Sequence, residues 1–213
     1  MARYAKGALG AFSGKLGNVV GSSWRSIDYL RSLPKPSKKP ATEKQLAQRR
    51  RFALAVSFMQ PIKDVLNIGY SDARLSKVTG YNRAVKGMLE SGITGVYPDL
   101  EIDYPNLMIS KGSLEGLAGL SFTETAPGEI SVDWQPRTNS FNAFIDDDVL
   151  VLLHNKSRGT FNVFESATRE DSSVPIEVPT EFSGEELVAW VFLVKRDGKS
   201  TSNSQYAGSL TVS

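Results

Sequence analysis

Residues capable of chemistry are few in this chain and poorly spaced for it. His154 is the only histidine, and a general base needs an orienting partner and a nucleophile within hydrogen-bond reach. No second histidine and no G-x-S-x-G turn accompanies it, so a structural role at the end of the apolar run Val149–Leu153 is the simpler reading. Asp146-Asp147-Asp148 offers carboxylates, but adjacent aspartates lack the alternating D-x-D-x-D spacing that wraps a calcium ion. They read as a polar turn before a strand, and Glu170-Asp171 and Glu185-Glu186 read as loop charges. Gly10-Ala11-Phe12-Ser13-Gly14-Lys15-Leu16 invites comparison with a phosphate-binding loop. Only three residues separate its glycines where that motif needs four, and Leu16 stands where a magnesium-holding Ser or Thr is required. The chain has no cysteine, which removes disulfides, thiolate metal sites and cysteine nucleophiles. Paired carboxylates suffice for glycoside chemistry, but nothing in the spacing sets two of them across a cleft. The expectation is a non-enzyme with no catalytic, cofactor-binding or metal-ligating residue.

Charge and aromatic residues carry more information. The formal net charge is +2, yet residues 1–51 hold 12 cations against only Asp28 and Glu43, a surplus of ten, and the remainder carries −8. Such asymmetry suits docking of the basic segment on the acidic part of another copy, binding to nucleic acid, or plain solvation. Within it lie Val19, Val20, Trp24, Arg25, Tyr29, Leu30 and Arg31, the candidate assembly-interface residues. Trp24 with Arg25 and Tyr29 nearby fits an interface anchor, an intramolecular core, or a stacking platform for single-stranded bases. Arg49-Arg50-Arg51 points three ways around a helix; a solvated helix face is the usual reading, and the alternative is that at least one of them lies near the buried face and pairs with a carboxylate.

These residues must be held by recognisable elements. Residues 1–33 form a basic, β-rich arm of short extended pieces, Asn18–Arg25 and Ile27–Arg31, broken by glycine turns. A piece this small needs pairing with the rest of the chain or with a neighbour. Residues 34–41, with Pro34, Pro36 and Pro40, form a stiff connector. Residues 42–96 form a helical region. Thr42 and Gln45 make a capping box, and Phe52, Ala55, Val56, Met59, Ile62 and Leu66 form one apolar stripe. Pro61 kinks this helix or starts a second, Gly69 ends it, and a shorter helix is expected around Asn82–Ser91. Residues 97–213 change to a period of two. Strands are expected near Glu129–Trp134, Val149–His154, Thr160–Glu165, Val174–Val178, Leu187–Val194 and Tyr206–Val212, the rhythm of an antiparallel sandwich, with Trp134 and Trp190 in its core. Neither a secretory leader nor an 18-residue apolar span is visible.

Two resemblances follow. Ser131-Val132-Asp133-Trp134-Gln135-Pro136 resembles the second strand of a fibronectin type III or related immunoglobulin-like domain. Leu187–Val194, Asp197–Ser200 and Tyr206–Val212 resemble its last hairpin. Gly14-Lys15-Leu16-Gly17-Asn18-Val19-Val20-Gly21, then Trp24, Arg31-Ser32, Pro34, Thr42-x-x-Gln45, Arg49 and Phe52, with the ending Tyr206-x-Gly208-x-Leu210-x-Val212, resemble an uncharacterised Bacteroidota domain-of-unknown-function family. Similar openings occur in phage-like genes. The resemblances imply a fold and no activity.

The expected class is therefore α+β: a β-rich arm, one or two helices, and a C-terminal antiparallel immunoglobulin-like β-sandwich of seven strands. The expected function is a self-assembling structural subunit of a filament, fibre or virion-like particle, joined by exchange of the N-terminal arm between copies. Its partner would be other copies of itself, in an extracellular filament or virion-like particle, otherwise in the cytoplasm. The alternatives are a nucleic-acid-associated protein using the same arm, and a surface adhesin or carbohydrate-binding module.

Overall fold

Strand pairing begins at once in the arm. The computed structural model describes residues 2–3, 12–24, 27–36, 39–72 and 78–213, and the chain divides into two compact units, residues 1–42 and 43–213. In the first unit β1 (Ala2–Arg3), β2 (Gly14–Leu16), β3 (Val19–Trp24) and β4 (Ile27–Ser32) form one antiparallel sheet in the order β1-β4-β3-β2. Leu16 pairs with Val19 across a two-residue turn, and Gly17 supplies its positive φ of 59°, a backbone conformation glycine adopts without steric cost. The backbone pairing expected from outside the arm is thus met from within it.

The second unit opens with α1 (Glu43–Met59), α2 (Lys63–Gly69) and α3 (Gly80–Ser91). Pro61 divides the first expected helix in two, and the shorter helix expected around Asn82–Ser91 forms as α3. The chain turns between Met59 and Lys63, where Pro61 has no amide to donate, and α3 has its own cap, the Thr79 hydroxyl accepting the Asn82 amide at 3.3 Å. Of the expected stripe, Ala55, Met59, Ile62 and Leu66 are buried, whereas Phe52 is exposed and Phe58 is buried in its place.

A hairpin of β5 (Ile93–Val96) and β6 (Asp99–Ile102) follows, then β7 (Ala118–Ala126), β8 (Glu129–Gln135), β9 (Asp148–Asn155), β10 (Thr160–Thr168), β11 (Ser173–Glu177), β12 (Glu186–Val194) and β13 (Gln205–Thr211). The last seven pair antiparallel into a four-stranded sheet, β10-β9-β12-β13, and a three-stranded sheet, β11-β8-β7.

The central strands β9 and β12 are buried on both faces. Val149, Val151, Leu153, Leu187, Ala189, Val191 and Leu193 face the three-stranded sheet with Ile130, Val132 and Trp134. Leu150, Leu152, Val188, Trp190 and Phe192 face the other way, onto Phe58, Met59, Leu66 and Met88 of the helices. Double-sided burial is why both strands read as continuous apolar runs instead of alternating ones. Residues 43–213 therefore form three layers with two cores. Trp134 belongs to the core between the sheets and Trp190 to the core between sheet and helices.

Candidate functional site

Strand alternation divides the candidate interface residues between two faces of the arm sheet. Val20 lies opposite Arg31 and Lys15, Ser22 opposite Tyr29, and Trp24 opposite Ile27. Directly opposed residues share a face, and alternate residues of a strand return to it. Val20, Trp24, Tyr29 and Arg31 therefore share one face with Lys15 and Ile27, while Val19 and Leu30 lie on the other with Leu16. Arg25 lies outside the described residues. Trp24 is 51 % exposed and Leu16 68 %, and Gly21 is the only buried residue among those described in this unit. A side chain at position 21 would overlap the Phe12 backbone and ring, so this glycine lets Phe12 close over the sheet.

The face so built is aromatic and cationic. Cross-strand neighbours about 5 Å apart bring the two aromatic rings, the Lys15 ammonium and the Arg31 guanidinium onto one small surface. Such a surface can anchor a protein partner through Trp and Arg, or stack bases between phosphate contacts. On α1, Arg51 is the arginine turned inward, and its Nη2 donates to the Leu89 carbonyl at 3.1 Å. The carboxylate partner of that alternative is replaced by a backbone acceptor at the end of α3.

The residues considered for catalysis and metal binding are engaged in structure. Gly14, Lys15 and Leu16 lie in strand β2, and Gly10 lies outside the described residues. His154 is buried against Phe161, ring centroids 4.4 Å apart, Phe58 at 5.0 Å and Tyr104 at 5.8 Å. Its Nδ1 lies 3.2 Å from the Thr160 carbonyl and donates to it. Burial first, and the Lys156 charge, hold its pKa below the ordinary value. Asp147 is buried against Arg169, and Asp146 lies 3.7 Å from Arg196. Glu185 accepts from Arg158 at 2.9 Å and Glu186 from Lys156 at 2.6 Å, and these hydrogen bonds lower both carboxyls. Asp171 accepts from the Thr168 amide at 2.7 Å and hydroxyl at 2.9 Å. Among the described residues, no group of three or more His, Asp and Glu side chains is placed to hold a metal ion, and no helix is long and apolar enough to cross a membrane.

Most of the arm, the helices and nearly all of the sandwich fall inside one family match, residues 11–208, to the family of unknown function DUF6266. The chain belongs to DUF6266. Because that match takes in both β3 and β12, the exposed arm sheet and the doubly buried strands are parts of a single DUF6266 pattern. No curated protein matches this DUF6266 chain. Over its C-terminal half it is similar to solved fibronectin type III domains. One is the fibronectin type III domain of the human collagen alpha-1(XX) chain, at 15 % identity and a TM-score of 0.37, over 48 % of this chain and 91 % of that one. Another is that of human contactin 1, at 12 % identity and a TM-score of 0.30, over 49 % of this chain and 84 % of that one.

Proposed function

We propose that this chain is a non-catalytic, self-assembling structural subunit of a filament, fibre or virion-like particle, joined through its N-terminal arm. The observation that carries the reading is the separateness and poor burial of residues 1–42. They form a unit of their own, with Leu16 and Trp24 exposed and, among the described residues, only Gly21 buried. A four-stranded sheet with so little buried area gains little from the hydrophobic effect. Seating Trp24, Val20 and Tyr29 against another copy would supply that burial, each large side chain contributing roughly 1.5–3 kcal/mol when fully covered. The edge strands β1 and β2 are the segments that would add to a neighbour's sheet, where backbone pairing sets the register. The arm's surplus of cations would meet the acidic remainder of the next copy, which favours head-to-tail contact.

Electron microscopy of the full chain beside a version lacking residues 1–33 tests this. Ordered polymers in the full chain alone are expected. Monodisperse particles in both samples, across concentration and salt, would overturn it.

A second reading rests on one observation. Trp24, Tyr29, Lys15 and Arg31 share a face of the arm sheet, the arrangement of a stacking platform for single-stranded nucleic acid. Salt separates the two readings, because phosphate contacts weaken steeply as salt rises and packed strands do not.

A further inference from the structure

The two sheets of the sandwich have four outer strands, β10, β13, β11 and β7, and only the edge of β10 is left open. Gln205, at the start of β13, holds Leu117 just ahead of β7: its Oε1 accepts the Leu117 amide at 2.6 Å and its Nε2 donates to the Leu117 carbonyl at 2.9 Å. At the far end of the same two strands Ser213 donates from its amide and its hydroxyl to Glu124, both at 2.8 Å. β13 and β7 thus shield each other. Along β11 the Val178 amide donates to the Gly128 carbonyl, and the Ser172 carbonyl accepts the Trp134 amide. Even-numbered residues there point their backbone groups at β8, and odd-numbered ones point outward. Pro175 stands at an outward position and has no amide to offer, which blunts that edge. β10, among the described residues, is hydrogen-bonded to β9 alone.

The backbone phase of β10 follows from its neighbours. The Lys156 amide donates to the Glu186 carbonyl at 3.0 Å, and the Arg169 amide to the Asp147 carbonyl at 2.9 Å. Even-numbered residues of β9 therefore point their N–H and C=O groups at β12, and odd-numbered ones at β10. Asn155, Leu153 and Val151 lie opposite Thr160, Asn162 and Phe164, and such antiparallel pairs exchange both backbone bonds. Between them, Phe161 and Val163 turn theirs outward. The stretch Thr160–Phe164 carries no charge and no proline, and the register shifts only beyond it, between Phe164 and Ala167. An open row of this kind is a template for another strand, and a second copy of the same stretch satisfies it in full. A two-fold axis at Asn162 sets Phe161 opposite Val163 of the second copy, and Val163 opposite its Phe161. Both members of each pair point outward, so every outward N–H and C=O of the stretch gains a partner. On the face toward the helices, where Phe161 packs against Phe58, the contact joins an aromatic to a β-branched side chain twice. Past the stretch, Glu165 falls opposite Gly159 of the second copy, beside that copy's Arg158.

We propose that β10 pairs antiparallel with β10 of a second copy about a two-fold axis at Asn162, so that two four-stranded sheets become one continuous sheet. The contact is isologous and closes on itself. It uses no residue of the arm and stands apart from arm exchange. The chain has no cysteine, and the contact is carried by backbone, so Asn162→Cys at this exposed position reports it without removing it. Facing residues of a non-hydrogen-bonded pair lie about 4.5 Å apart at Cα, within the roughly 4.4–6.8 Å that a disulfide spans. Thr160→Cys, exposed on the same strand, would lie about 14 Å from its counterpart and is the control. Under mild oxidation of the full chain, Asn162→Cys should form disulfide-linked dimer roughly ten times faster than Thr160→Cys, because the paired edge raises the effective concentration of the thiols. Adding Val163→Pro removes an outward amide and leaves the ladder to β9 whole. It should bring the Asn162→Cys rate down to that of the control with the circular dichroism spectrum unchanged, and a fast rate retained with that spectrum would overturn the backbone pairing. Equal rates for the two cysteine variants would overturn the contact and, where microscopy of the full chain shows polymers, leave arm exchange standing. Equal rates with polymers that Val163→Pro abolishes would overturn it and make β10 the edge that receives the arm. Fast, selective dimer formation without polymers would support the contact and remove arm exchange.

Discussion

Arg169 and Asp147 tie together one end of the sandwich: Nη2 of the arginine lies 3.1 Å from Oδ2 of the aspartate, and both side chains are closed off from solvent. The same guanidinium donates to the carbonyls of Glu115 at 2.8 Å, Arg137 at 3.3 Å and Gly116 at 3.4 Å. The Arg169 carbonyl accepts from Trp134 Nε1 at 2.9 Å, and Asp147 Oδ2 accepts the Phe144 amide at 2.9 Å. Burial pushes the Asp147 carboxyl above the usual range, against the pull of these hydrogen bonds and of Arg169, and its Oδ1 has no hydrogen-bond partner.

Removing one member of this pair strands the other in a dry site. Arg169→Met is expected to cost about 3–5 kcal/mol in urea unfolding, since it leaves a buried carboxylate and loses the donor to three carbonyls. Asp147→Leu alone should cost a comparable amount, and the double variant should be less destabilised than the sum of the two, with a coupling of about 0.5–3 kcal/mol. Strict additivity would show that the two side chains act independently.

Phe58 is one of the helix side chains packed on the sandwich. Its ring meets Phe161 at 5.1 Å, His154 at 5.0 Å, Tyr104 at 6.2 Å and Trp190 at 6.5 Å, all edge-on. Phe58→Ala is expected to cost about 3–5 kcal/mol through lost burial and the cavity left behind. Phe52→Ala, at the exposed position six residues earlier, should fall within about 0.5 kcal/mol. Equal losses for the two would restore Phe52 to the buried stripe on α1.

The burial of Phe58 in place of Phe52 shows what sequence could and could not reveal here. Apolar residues at three- and four-residue steps identified α1, but several stripes overlap on it, and the one that faces the sheet is selected by Trp190 and His154, which are remote in the chain. The runs Val149–His154 and Leu187–Val194 announced buried strands. Their lack of alternation also encoded a third layer, and that signal was available to be read. Strand β7 and the β5–β6 hairpin escaped notice because their apolar residues are sparse and exposed polar positions interrupt them. Hydrogen bonding between Arg169 and Asp147 spans 22 residues and leaves no local pattern. In the arm, the glycine turns and Val19, Val20 and Trp24 marked short strands correctly, but only the register reveals that Trp24, Tyr29 and Arg31 share a face that excludes Val19 and Leu30.

His154 makes stability depend on pH just below neutrality. Burial holds its folded-state pKa under the ordinary 6.5, so below that pH the unfolded chain takes up a proton that the folded chain does not. Stability is complete above pH 6.5 and is lost as pH falls toward the folded-state value. The rings of Tyr104, Phe58 and Phe161 bury the imidazole, Lys156 repels its charged form, and the Thr160 carbonyl, which favours that form, is outweighed by burial. The lowered carboxyls of Glu185, Glu186 and Asp171 titrate below the ordinary carboxylate values of 4.5 and 3.8, outside this window. Thermal melts between pH 7 and 5.5 should show a decline in Tm that His154→Phe flattens. A slope unchanged by that substitution would assign the titration to another group.

Salt decides what the cationic, aromatic face of the arm binds. If Lys15, Arg31 and two further arm cations each neutralised one phosphate of a single strand, affinity would fall about 50-fold between 50 and 200 mM salt. Lys15→Gln should then reduce the logarithmic salt slope by roughly 0.7. Strand-paired polymers anchored by Trp24 should instead change little over the same range, because backbone hydrogen bonds and buried rings are not screened as exposed charges are. Light scattering and fluorescence-anisotropy titration with a labelled oligonucleotide, run on the same preparation, measure both quantities. Trp24→Ser weakens either activity, since an anchor and a stacking platform both need the ring, so the charge variant is the discriminating one. Loss of scattering that tracks salt with the slope of oligonucleotide release would transfer the arm from assembly to nucleic-acid binding.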